Sequence, residues 1–152
     1  MIRKLSVLVL IIGVISVIAG AIFIGQGVVK NNLLVTAMRQ EKITLGIPSD
    51  KIVAGEVIEN AKEAQIAGDT VREHRHSIAP TYGDLLGDKQ FDPTDPKQLT
   101  YAQALNLENY LYLAVLGFGV TQVVIASGVF MVLNGVALSG IGISLRRLAN
   151  AR

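Results

Sequence analysis

Cysteine is absent from the 152-residue chain, which excludes disulfides, thiol catalysis and thiolate metal sites. Charge is scarce as well, at 17% of residues against 51% hydrophobic ones, a balance that suits a membrane protein better than a soluble domain. The scarcity is local: no charged side chain occurs from Leu5 to Val29 or from Tyr110 to Leu145. Ionisable groups at membrane depth mark pumps and proton paths, and neither run contains one. Also missing are a phosphate-binding glycine loop, a nucleophile elbow and an HExxH pair; the glycines crowd into the uncharged runs, where a phosphate would be misplaced. Apart from a seven-residue spacing of small residues in those runs, no internal repeat and no low-complexity segment is present.

Each uncharged run exceeds the roughly 20 apolar residues that a helix needs to cross a 30 Å hydrocarbon core. The predicted fold is an all-α membrane protein with two long transmembrane helices forming an antiparallel hairpin and a small helical extracytoplasmic domain between them. Small residues recur every seven positions in both runs: Ser6, Gly13, Gly20 and Gly27 in the first, Thr121, Gly128, Gly135 and Gly142 in the second. Seven residues are nearly two helical turns, so each set forms one narrow stripe. In lipid, where burying Leu against Leu gains little, such stripes let backbones approach and hold spans together. Aligned antiparallel, Ser6 pairs with Gly142, Gly13 with Gly135, Gly20 with Gly128 and Gly27 with Thr121.

Charge at the ends sets the orientation. Arg3, Lys4, Arg146, Arg147 and Arg152 stand there without an acid, whereas all 12 acidic residues lie between Lys30 and Tyr110. Positive ends stay in the cytoplasm, which places residues about 41–102 outside the cell inner membrane. The same distribution removes nucleic acid as a partner, since the basic excess behind the pI near 9.0 sits at span termini and not on a folded face. An apolar core of about 25 residues is longer than the 7–15 of a cleavable signal, so the first span reads as a retained anchor, with cleavage after Ala19 or Ala21 as the alternative.

Taken in order, residues 1–40 read as the first span with an exterior extension, 41–99 as an exterior helical segment and loop, 100–148 as a long helix containing the second span, and 149–152 as a tail. Leu33, Leu34, Ala37 and Met38 continue the helical spacing beyond Lys30, and Gly46 with Pro48 is expected to stop it. Ser49 or Asp50 is the predicted cap of an amphipathic helix carrying Val53, Val57, Ala61, Ala64, Gly68 and Val71 on one face. Pro80 and Gly83 break it after His76, and one short turn of helix follows at Asp84 to Gly87. Pro93, Pro96, Asp88, Asp92 and Asp95 give residues 87–98 the chemistry of an exposed loop. Thr100 and Gln103 form a capping box from which the second long helix is predicted to start. From Tyr112 to Arg146 that helix is about 51 Å long, more than a bilayer needs, so apolar surface around Tyr110 to Gly119 must be covered outside it.

Chemistry-bearing side chains are few. Glu73-His74-Arg75-His76, with Asp69 one turn back, offers imidazole and carboxylate for a transition metal. Residues two apart on a helix point about 200° away from each other, whereas helical metal sites use positions four apart. His74 and His76 are the only metal candidates, and a polar helix end explains the same letters. Gln122 and Asn134 are polar residues inside the second span, together with Ser127 and Ser139; an amide bonded to another helix is the ordinary use of such a group.

Two spans with inward ends, an exterior segment opening with Glu41-Lys42-Ile43-Thr44, a helix through Ala61 and Ala64, then His74 and Tyr82 before a long second span, together resemble a family of small bacterial two-span membrane proteins. The resemblance covers most of the length and implies this topology. Some members carry the name aromatic-ring-opening dioxygenase, which would imply an iron site; the His74 and His76 spacing does not provide one. The resulting expectation is a non-catalytic structural or accessory subunit, without a cofactor, that contacts membrane lipids and either other membrane subunits or copies of itself. The alternative is a homo-oligomeric passive pore lined by the glycine stripes with Asn134 and Gln122.

Overall fold

A computed structural model describes residues 2–43 and 55–151. Four helices, α1 (Ile2–Gln40), α2 (Ala61–Ile78), α3 (Tyr82–Leu86) and α4 (Pro96–Asn150), supply the regular structure, with no β-strand among the described residues. Both α1 and α4 are long and apolar enough to cross a membrane. Only 11% and 17% of their most apolar windows is buried, whereas a core helix of a soluble protein would hide most of that surface. Apolar side chains such as Ile15, Ile22, Phe130 and Leu133 stand exposed instead.

The largest differences from the sequence expectation are at three helix ends. Helix α1 stops at Gln40, ahead of Gly46 and Pro48, which fall outside the described residues together with Ser49 and Asp50. Lys42 takes a left-handed φ of 52°; its N–H bonds Arg39 O at 3.2 Å and the Ile43 N–H bonds Met38 O at 3.0 Å. That double bond is a Schellman closure, here with lysine in the position glycine usually takes, and Ile43 packs back on the cluster containing Met38. Helix α2 starts only at Ala61. Asn60 caps it, accepting from the Glu63 N–H at 3.0 Å while Glu63 accepts from the Glu59 N–H at 2.7 Å, so Val57 belongs to the non-helical lead-in. Helix α4 begins at Pro96, four residues before Thr100. Asp95 accepts from the Lys97 N–H at 2.8 Å, and Pro96 fills the first helical position, where a missing N–H costs nothing. Thr100 is thereby inside the helix, its hydroxyl donating to Pro96 O at 2.7 Å.

Two compact units result, Met1–Asn31 with Val120–Arg152, and Asn32–Gly119. The second has a small apolar cluster of Met38, Ile58, Ala64, Ala67, Leu111, Ala114 and Phe118. Small side chains on α2 permit close packing: a Cβ on Gly68 would lie 3.2 Å from the Tyr112 ring and 3.5 Å from Leu111 Cβ. Part of the stretch of α4 around Tyr110 to Gly119 is covered in this way, through Leu111, Ala114 and Phe118. The other part is not, and Tyr110, Leu113 and Leu116 are about 60% exposed.

Candidate functional site

In the unit formed by residues 1–31 and 120–152, the small residues of α1 meet those of α4. A Cβ built on Gly13 would lie 2.8 Å from Gly135 O, one on Gly20 2.6 Å from Gly128 O, and one on Gly27 3.2 Å from Thr121 O. As the position on α1 rises by seven, its neighbour on α4 falls by seven. From the α4 side, a Cβ on Gly128 would press on Ile24, one on Gly135 on Val17 and one on Gly142 on Leu10, each with backbone atoms at 3.0 Å or less. Helix backbones this close leave room for hydrogen only, and that is what dictates glycine.

Hydroxyls complete the seam. Ser16 Oγ donates to Met131 O at 2.8 Å across the two helices, and Thr121 Oγ1 donates to Asn31 Oδ1 at 3.3 Å. Ser6 is buried and donates to Arg3 O within its own helix at 2.9 Å. Ser16 was not singled out by the seven-residue period, although it lies one turn from Gly13 on the same face.

Gln122 and Asn134 are elsewhere. Both are exposed, and Asn134 Nδ2 donates to Phe130 O at 2.8 Å in its own helix. Neither lines the glycine seam.

A buried polar cluster that sequence reasoning missed holds α2 to α4 in the unit of residues 32–119. Arg75 Nε donates to Glu108 Oε2 at 2.7 Å and Nη2 to Oε1 at 3.4 Å, with both side chains less than a tenth exposed. The same guanidinium bonds the Tyr101 hydroxyl, stacks 4.9 Å from the centre of that ring, and approaches His76 Nε2 at 3.1 Å. Its hydrogen bond to Glu108 keeps it charged more firmly than usual, against the opposing effect of burial. Tyr82 of α3 packs on Tyr101, ring centres 6.1 Å apart. One helical turn or two along, Tyr112 donates to Asp69 at 2.7 Å; burial first and this bond second push the phenol up to about 12.

His74 is exposed, with no side-chain bond to this network among the described contacts, while His76 is occupied by Arg75. Among the described residues no three His, Cys, Asp or Glu side chains converge as metal ligands would. Chemically the arrangement offers packing and one internal ion pair. The same unit carries an open apolar groove of about 560 Å³ lined by Leu34, Met38, Ile43, Leu107, Leu113 and neighbours. No protein-family model, curated protein or solved structure matches the chain.

Proposed function

We propose that the chain is a non-catalytic accessory subunit of a bacterial membrane protein complex. It is anchored in the inner membrane by an antiparallel hairpin of α1 and α4, with both termini in the cytoplasm and residues about 41–102 outside. The observation that carries this reading is the uncovered apolar surface of the outer part of α4. Tyr110, Leu113 and Leu116 are exposed on a stretch longer than a bilayer requires, beside an apolar groove of about 560 Å³. A partner subunit would cover it. The mutual contact of the glycine stripes supports a hairpin over the passive pore, because residues that touch backbone on a neighbouring helix cannot also face a lumen.

Gentle detergent extraction followed by mass measurement of the intact assembly tests this. Association with other subunits or copies is the expected result, and a single mass near 16.2 kDa overturns both the subunit and the pore. Replacing Leu113 or Leu116 with Lys should weaken the assembly. An unchanged assembly would assign that face to lipid, with helix tilt absorbing the extra length.

A further inference from the structure

We infer that the face of α4 turned away from α1 binds the same face of a second copy of this chain, through Asn134. The inference rests on the membrane hairpin proposed above. Gly128, Gly135 and Gly142 point at α1, and on another side of α4 Val123, Ala126, Phe130, Asn134, Ala137 and Ile141 follow one another at spacings of three and four. All six are exposed, Val123 by 66% and Phe130 by 67%. This is the spacing of a helix–helix seam with one polar residue in it.

Asn134 gives the seam its occupant. Twelve residues separate it from Arg146, about 18 Å at the helical rise, so it stands near the middle of a 30 Å hydrocarbon core. One amide N–H is bonded to Phe130 O, while no described group donates to Oδ1. An acceptor left bare in hydrocarbon is costly, and lipid tails have nothing to donate. A carboxamide carries donors and an acceptor together, so it complements itself. Copies inserted in the same orientation bring their α4 helices parallel, with Asn134 facing Asn134 at equal depth across a two-fold axis normal to the membrane. No shift of register is needed. Ala137, one turn further, is small enough to let the helices close around the pair.

The cysteine-free chain makes the test clean. Ala126→Cys, Phe130→Cys and Ala137→Cys, oxidised in membranes, should each give a disulfide-linked species of twice 16.2 kDa. Val129→Cys and Val136→Cys, exposed by 45% and 60% on a different side, should give several-fold less. Adding Asn134→Leu to Ala137→Cys should reduce the dimer about three- to ten-fold, and Asn134→Gln should retain it. Equal crosslinking at all five positions, an unchanged yield in Asn134→Leu, or linkage only to a protein of another mass would overturn the inference. Carbonate washing of the membranes separates the two levels of the argument. A chain that stays in the membrane without the expected pattern sinks the second-copy seam alone, whereas a chain that washes off sinks the hairpin with it.

Discussion

Between Arg75 and Glu108 two full charges are held out of water, and each is tolerable only because of the other. Glu108→Leu alone strands the guanidinium with Tyr101 and His76, neither of which carries a negative charge to offset it. That variant should lose about 3–5 kcal/mol of stability in the unit of residues 32–119. Arg75→Met with Glu108→Leu removes both charges and should recover most of the loss, read by chemical denaturation followed through the tyrosines Tyr101 and Tyr112. Equal destabilisation in the single and double variants would mean that packing, and not the ion pair, is what the two residues contribute. Nothing local in the sequence announced this pair. Arg75 sits in a polar tetrapeptide whose neighbours Glu73 and His74 are exposed, and its partner is 33 positions away. Burial of a charge is decided by what another helix brings opposite it, which a 3.6-residue period does not encode.

Glycine contacts are graded along α1 and α4, and the grading predicts how each position responds to a side chain. At Gly20 the obstruction is Gly128 O at 2.6 Å, and at Gly128 it is Gly20 O at 2.7 Å; backbone held in two helices cannot step aside. Isoleucine at either position should cost about 3 kcal/mol or more, or abolish accumulation of the protein. Gly27 meets first Cγ1 of the Ile125 side chain, with backbone no nearer than 3.2 Å, so Gly27→Ala should be milder than Gly20→Ala. Gly140 faces open space, and Gly140→Ile should melt in detergent at nearly the parental temperature. Similar losses at Gly20 and Gly140 would place the sensitivity in glycine's backbone freedom and not in the contact. At this scale much was legible, because uncharged length marks an apolar helix and a seven-residue period marks a face. Helix ends were less so. Lys42 performs a closure that is ordinarily glycine's, and Pro96, read as loop chemistry with Pro93, is the opening residue of α4.

At the scale of the whole molecule, the membrane hairpin proposed above would put the acidic segment on one side of the bilayer, and the charges at the ends of the two apolar runs predict which. Arg3, Lys4, Arg146 and Arg147 stand beside the ends of the two apolar runs nearest the chain termini, with no acid near them, and basic residues next to a span resist translocation. Lys30 is the only charge adjoining the far end of the first run, and the second run is preceded by Glu108. The asymmetry at the ends of the runs therefore favours export of everything between them. Lys89 is exposed and forms no ion pair among the described residues, so Lys89→Cys introduces a reporter thiol at little structural cost. Thr94 is a poorer site, since its hydroxyl bonds Asp92 at 2.7 Å. In intact cells an impermeant maleimide should modify Lys89→Cys, while Ala151→Cys, at the exposed end of α4, should react only after lysis. Reversal of that pattern would invert the topology and leave the hairpin standing. Labelling of both cysteines in intact cells would put the two sites on one side, and α4 could not then be crossing the bilayer between them.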